Sequence, residues 1–434
     1  MTVAARLIGA AMRRTNARAL RFDPRPGGPP SPERGRRYLL YLHVPFCETL
    51  CPFCSFHRVQ FKASRARPYF DALRTEIRRY ADLGFDFDEV YVGGGTPTVL
   101  PDELGATLRL VRERFPVRDI SVETNPNHLT AEVVDSLQAT GVTRLSVGVQ
   151  SFDDALLKRM GRYQAYGSGE QIAAGLARVR DTFQTLNVDL IFNLPDQSAD
   201  SFARDLRILR DEIRATQVSF YPLMATEATR ERMRREMGLG ARDNEYRFYQ
   251  MIGAGLGPEY RADSAWCFSR GPGMVDEYVV DQEDYVGAGS GAFGYLHGRL
   301  TASTFSLREY QARIAAGELG ITRSRDFSRR EQLRYHLLMR LFGLRLDKAV
   351  TRKRFGDRAW RSLLPEITAL KLAGAIRETG DELQLTDRGM YYWVVMMREF
   401  FTGVNRFREA MRDQWRSGSR SVPAPRAEME GIKQ

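Results

Sequence analysis

The chain has 434 residues, four cysteines and a net charge of +11 in an otherwise ordinary globular composition, enough to bury a large core and to form one large domain beside a smaller one. No apolar run reaches the length of a membrane span, no apolar leader precedes a small-residue cleavage site, and the thiols make no disulfide framework, so a cytoplasmic, reducing compartment is expected. The charge, carried largely by arginine, suits an anionic substrate, a membrane surface or merely solvated faces; no aromatic-basic RNA pattern accompanies it, so no nucleic-acid partner is expected.

Residues 1–22 carry five arginines and no acid. They read as a basic amphipathic helix in contact with an anionic membrane surface, as a transit-like segment, or as a loose terminus, the last being favoured. Residues 23–36, DPRPGGPPSPERGR, read as a linker, so 1–36 is taken as an N-terminal extension.

The stretch YLHVPFCETLCPFCSF, 41–56, follows. Cys47, Cys51 and Cys54 are spaced C-x3-C-x2-C, with Phe53 before the third. Three thiolates this close suit three irons of a [4Fe–4S] cluster and leave a fourth iron open to a small molecule. Structural zinc remains the alternative, although it prefers two separate C-x2-C pairs. His43 and His57 flank the cysteines and serve either as ligands or as packing.

This stretch resembles the signature of the radical S-adenosylmethionine (SAM) enzymes. YLHVPF narrows the resemblance to the oxygen-independent coproporphyrinogen III oxidase branch and its relatives. The resemblance implies that SAM chelates the open iron and is cleaved by one electron to methionine and a 5′-deoxyadenosyl radical. It also implies an electron donor such as flavodoxin or ferredoxin.

From Arg37 the pattern alternates strand and helix. Apolar runs lie at 38–44, 88–92, 118–123, 143–149, 186–192 and 217–222, with helical patterns at 66–83, 101–114, 130–140, 168–182 and 199–214. Such repeats predict an α/β fold with a parallel sheet, and the resemblance implies a partial (β/α)6 radical SAM barrel over 37–300. Functional groups then gather at the C-terminal ends of the strands. The second strand ends in GGGTPT, 93–98, the third gives Glu123, the fourth Gln150 and the fifth Asp189, while Arg162 lies in MGRYQ. By resemblance Gly94, Gly95 and Thr96 border the amino group of SAM, Glu123, Gln150, Arg162 and Asp189 contact it, and Tyr41 lies near it.

Beyond the sixth strand, helices are expected at 228–237 and 242–256. Cys267 reads as a buried apolar residue or as a substrate-side thiol. The glycine-rich run 286–298 reads as a tight turn, or as a site for a second SAM or a flat ligand. Residues 301–416 read as a mostly helical, winged-helix-like domain, with a Gly-Asp hairpin after helices at 329–343, 348–355 and 360–373, and 417–434 as a disordered tail. The domain is read as a substrate lid or a packing domain and not as a DNA reader, because its face is not notably basic.

The family's oxidases carry a further cysteine one residue beyond the third, where this chain has Cys54-Ser55-Phe56. That departure brings the chain closer to the haem chaperone branch, while the ordered motif set keeps as the leading expectation a radical SAM oxidoreductase acting on a tetrapyrrole-type substrate. The alternatives are a haem-binding chaperone of the same family, or a methyltransferase or cyclopropanase using two SAM molecules in place of one. Catalytic groups beyond the cofactor ligands are not legible.

Overall fold

The computed structural model describes residues 3–23, 28–237, 244–272, 280 and 282–417. The expected tail falls almost wholly outside the described residues, as does part of the linker.

Six parallel strands form the centre: β1 (Tyr38–Val44), β2 (Phe87–Gly94), β3 (Asp119–Thr124), β4 (Arg144–Gln150), β5 (Thr185–Phe192) and β6 (Gln217–Pro222). They lie side by side in chain order. Most of their residues are buried, as near-continuous Val, Ile and Leu runs dictate for strands covered on both faces. The crossovers are α2 (Ala63–Asp82), α3 (Pro101–Arg114), α4 (Ala131–Ala139), α5 (Gly169–Val179) and α6 (Ala199–Arg207). Their starts are written in the sequence: Thr130 caps α4, Ser168 and Gln171 form a capping box on α5, and Ser198 caps α6. The expected alternation is thus present, strand by strand, as a mostly parallel central sheet.

The sheet is extended on both sides. After α7 (Glu227–Met237), β7 (Cys267–Ser269) adds antiparallel to β6. On the other side β8 (Tyr285–Ala288) lies parallel to β1, followed by β9 (Phe293–Leu296), β10 (Arg299–Ser303) and β11 (Ile321–Asp326), each antiparallel to the one before. The sheet therefore runs on past residue 300 to Asp326. The glycine-rich run is the turn between β8 and β9. A Cβ on Gly287 would meet the Phe293 carbonyl oxygen at 2.0 Å, and one on Gly289 (φ +100°) the His43 carbonyl oxygen at 2.6 Å. Backbone packing thus requires glycine at both positions, against β9 at Gly287 and against β1 at Gly289.

A helical C-terminal region follows. It contains α8 (Arg329–Phe342), short helices at Lys348–Phe355 and Asp357–Arg361, α9 (Leu364–Leu372), and a three-stranded sheet of Arg345–Asp347, Ile376–Thr379 and Glu382–Leu385. Gly380, at φ +57°, turns the hairpin. Buried Glu283, just before β8, ties this region to the central sheet. It accepts from His336 Nδ1 at 2.6 Å, Arg340 Nε at 2.9 Å and Arg354 Nη1 at 2.7 Å.

The last described element is α10 (Asp387–Ser417), and against it lies α1 (Val3–Ala19). The favoured reading of a loose N-terminus is therefore corrected. Ala5 is fully buried, Asn16 Nδ2 donates to the Glu399 carbonyl at 2.9 Å, and Arg13 pairs with Glu399 at 3.0 Å. The stretch looked unanchored because its weak apolar stripe acquires a partner only through α10. Among the described residues no helix is long and apolar enough to cross a membrane.

Candidate functional site

One cavity of about 1200 Å³ opens at the C-terminal ends of the central strands. Tyr41, Cys47, Cys51, Cys54, Gly94, Gly95, Glu123, Gln150, Arg162 and Asp189 all line it. Thr96 does not. It is buried one layer behind, its hydroxyl 3.7 Å from Cys47 Sγ and accepting from Asn125 Nδ2 at 2.7 Å. Cys267 is fully buried on β7 and does not line the cavity, which answers the choice left open for it in favour of packing. The glycines of the 286–298 turn do not line it either.

The cysteines sit on the loop that leaves β1. Cys47 and Cys51 are buried and Cys54 is partly exposed. Burial, followed by the neighbouring Cys54, pushes the Cys47 thiol up to about 12, a barrier that a thiolate-binding metal removes by replacing the proton. Two guanidinium groups reach the loop. Arg58 donates to the carbonyls of Cys51 and Cys54, and Arg162 Nη1 lies 3.4 Å from Cys51 Sγ. Among the described residues no three histidine, cysteine or acidic side chains converge closely enough for a single metal ion. Three soft thiol donors on one loop of the cavity wall, with two guanidinium groups beside them, suit an iron–sulfur cluster.

Each strand end has a local reason for its shape. A Cβ on Gly93 would stand 2.7 Å from Glu123 Oε1, so glycine admits the carboxylate to the end of β2. Glu123 accepts there from Gly94 N at 3.1 Å and from Tyr91 OH at 3.0 Å. Gln150 has φ +77°, next to a register shift between β4 and β5. Such a bulge re-aims a side chain, and a strained non-glycine residue at a cavity points to function. Arg162 is buried, donates to Asn125 Oδ1 at 3.0 Å and to the Gly148 carbonyl, and lies 4.2 Å over the Tyr166 ring. Asp189 accepts from Asn187 at 2.6 Å and from Ser146 at 3.0 Å.

Tyr41 OH lies 2.9 Å from His43 Nδ1, and His43 Nε2 lies 3.0 Å from the His57 carbonyl oxygen. A carbonyl only accepts, so Nε2 carries the proton. Burial holds the imidazole down to about 3, so it is neutral and Nδ1 accepts from Tyr41. The two flanking histidines thus orient a tyrosine at the cavity wall, and His57 stacks on His43 at 5.7 Å.

Sequence reasoning missed several residues here. Asn125, inside the ETNP segment that supplied Glu123, bridges Thr96 and Arg162, and Tyr91 lies two residues before the glycine triplet. Other missed lining comes from far away in sequence: Leu7, Ile8 and Met12 of α1, Leu337 and Met339 of α8, Leu370 of α9, and Met396, Phe400, Phe401 and Arg408 of α10. No short-range motif marks these.

The family model described as the radical SAM superfamily matches residues 41–209. The heme chaperone HemW of Bacillus subtilis (strain 168) is 28% identical over 371 residues, covering 80% of this chain and 95% of that protein. HemW of Mycobacterium tuberculosis (strain CDC 1551 / Oshkosh) is 32% identical, covering 62% of this chain and 72% of that protein. Among solved structures, the coproporphyrinogen III oxidase HemN of Escherichia coli, a radical SAM enzyme, matches with a TM-score of 0.71 at 24% identity. The match covers 90% of this chain and 93% of that one, and shows the shared fold. The superfamily works with a [4Fe–4S] cluster and SAM, and the three thiols flanked by Arg58 and Arg162 fit that requirement. With the strand-end residues gathered on one cavity and these relatives matched along their length, the chain belongs to the radical SAM enzymes, in the family that includes HemW and the oxygen-independent coproporphyrinogen III oxidases.

Proposed function

We propose that Cys47, Cys51 and Cys54 hold a [4Fe–4S] cluster with SAM beside it, and that a tetrapyrrole-type substrate occupies the apolar part of the same cavity. Bound together, cluster and SAM supply reductive cleavage of the sulfonium and so a source of radical chemistry. The observation that carries this reading is the continuity of the site. One cavity runs from the cysteines past Glu123, Gln150, Arg162 and Asp189 into a vault walled by Leu337, Phe400 and Phe401. In this reading Glu123, already fixed by Tyr91 and Gly94, takes the amino group of SAM beside Gly94 and Gly95, and Arg162 holds its carboxylate end near Cys51. Asp189 and Gln150 orient the ribose. Tyr41, fixed by neutral His43, closes the near wall, and the aromatic side chains of α10 exclude water from the far one.

The second reading is haem binding and delivery. It is favoured by the extent of the similarity to HemW and by Phe56, which lines the cavity where the oxidases place a cysteine. The test is anaerobic. The reconstituted protein is given dithionite and SAM, and 5′-deoxyadenosine, S-adenosylhomocysteine and added porphyrin are quantified. Deoxyadenosine formation that rises with a porphyrinogen supports the first reading. Stoichiometric haem binding without cleavage supports the second. S-adenosylhomocysteine alongside deoxyadenosine moves the assignment to methyl transfer.

A further inference from the structure

Arg408 of α10 lines the cavity beside the cluster loop and is only 8% exposed. Its guanidinium carbon is 5.0 Å from the ring centroid of Phe56 and 5.3 Å from that of Phe293, so two aromatic faces hold it. Its Nη1 donates to Asn405 Oδ1 at 2.7 Å, one turn earlier on the helix. Phe56 is the second residue after Cys54, so this contact also joins α10 to the loop of the cysteines. Arg412, one turn further on, is within electrostatic reach of Glu409, which offsets part of its charge, and of Arg58 and Arg232. Glu409 has its carboxylate turned to Thr226 Oγ1 at 2.5 Å and Thr229 Oγ1 at 3.4 Å. Apolar side chains of the same helix, Met396, Phe400, Phe401 and Val404, line the cavity beside Arg408, and Tyr41 lies within its electrostatic reach. A planar guanidinium stacked between rings at the edge of an apolar vault matches a carboxylate carried by a large apolar molecule.

We propose that Arg408, with Arg412 behind it, is the anion-anchoring residue of this cavity and binds a carboxylate of a substrate whose body is large and apolar. The proposal rests on the reading above for where the substrate lies, and adds the group by which it is held. Tetrapyrroles with acid side chains and long-chain fatty acids share this chemistry, and the test separates them.

The experiment titrates the full-length protein, by absorption and tryptophan quenching, with iron protoporphyrin IX and its dimethyl ester, and with a long-chain fatty acid and its methyl ester. The wild-type protein is expected to favour one acid over its ester by about tenfold to a hundredfold, the range of a buried charge-assisted hydrogen bond. R408Q is expected to bring that preference within about twofold, and R408K to keep part of it. Porphyrin preference lost in R408Q supports the anchor and the tetrapyrrole reading together. Fatty-acid preference lost in R408Q supports the anchor and sinks the tetrapyrrole reading. No preference for either acid in the wild type, or an undiminished one in R408Q, overturns the anchor. Melting temperature and cluster absorption show whether R408Q is folded. Should it not be, R408K and R412Q carry the test, each narrowing the preference severalfold, and an unchanged preference in both overturns the proposal.

Discussion

Replacing Glu283 by glutamine tests how the C-terminal region is held over the site. The Glu283 side chain is 3% exposed and joins His336 and Arg340 of α8 to Arg354. Burial pushes its carboxyl up, but His336, Arg354 and Arg340 outweigh burial and hold it down to about 2, against an ordinary 4.5. At about 1.4 kcal/mol per tenfold, that difference is worth roughly 3 kcal/mol at neutral pH. Arg340 and Arg354 are more than a third exposed, and screening there brings the expected loss in E283Q to about 2–3 kcal/mol. A carboxyl depressed by folding contributes above its unfolded value and loses its contribution as pH falls toward the folded one. The gap between wild type and E283Q should therefore be full at pH 7, smaller by about 1 kcal/mol at pH 4, and less than half at pH 3. Urea denaturation followed by tryptophan fluorescence measures it, with Trp393 a suitable reporter because its Nε1 donates to the Leu338 carbonyl of α8 at 3.0 Å. A gap under about 0.5 kcal/mol at pH 7, or one that does not change between pH 7 and pH 3, refutes the reasoning.

Three further outcomes are expected. C51S loses the cluster, read as iron content and visible absorption, whereas C267S keeps both, since Cys267 is buried on β7 away from the cavity. Q150G relieves the positive φ and stabilises the fold by about 0.5–1 kcal/mol in thermal melts, while SAM binding by calorimetry weakens about tenfold or more. N16A removes the buried bond to Glu399 and loosens α1 by about 1 kcal/mol, seen as roughly fivefold faster hydrogen exchange in Val3–Ala19 with the central strands unchanged.

The central strands were legible because each is a short apolar run between capped helices, and a buried parallel strand has to be one. The cysteines were legible from their spacing, and the polar residues that close those strands, such as Glu123 and Asp189, from their interruption of apolar runs taken together with the family resemblance. The outer half of the cavity was not. Its lining alternates with charge on α1, α8 and α10, a pattern that says only amphipathic helix and does not say what the apolar side faces. Thr96 shows a finer limit. Motif position brought it to the site, but whether a residue lines a cavity or stands one layer behind depends on where the neighbouring Gly94 and Gly95 turn.

The pairing of α1 with α10 also imposes an order of assembly. Asn16 and Glu399 are 383 residues apart in sequence and 2.9 Å apart in space. During synthesis α1 therefore has no seat until the ribosome has passed Glu399. The cysteine loop on β1 emerges and can fold against β2 long before that moment. For most of translation the vault has no outer wall. Docking of the two helices completes that wall, so an α1 fused to a bulky partner is expected to reach the ligand chamber before it disturbs the sheet.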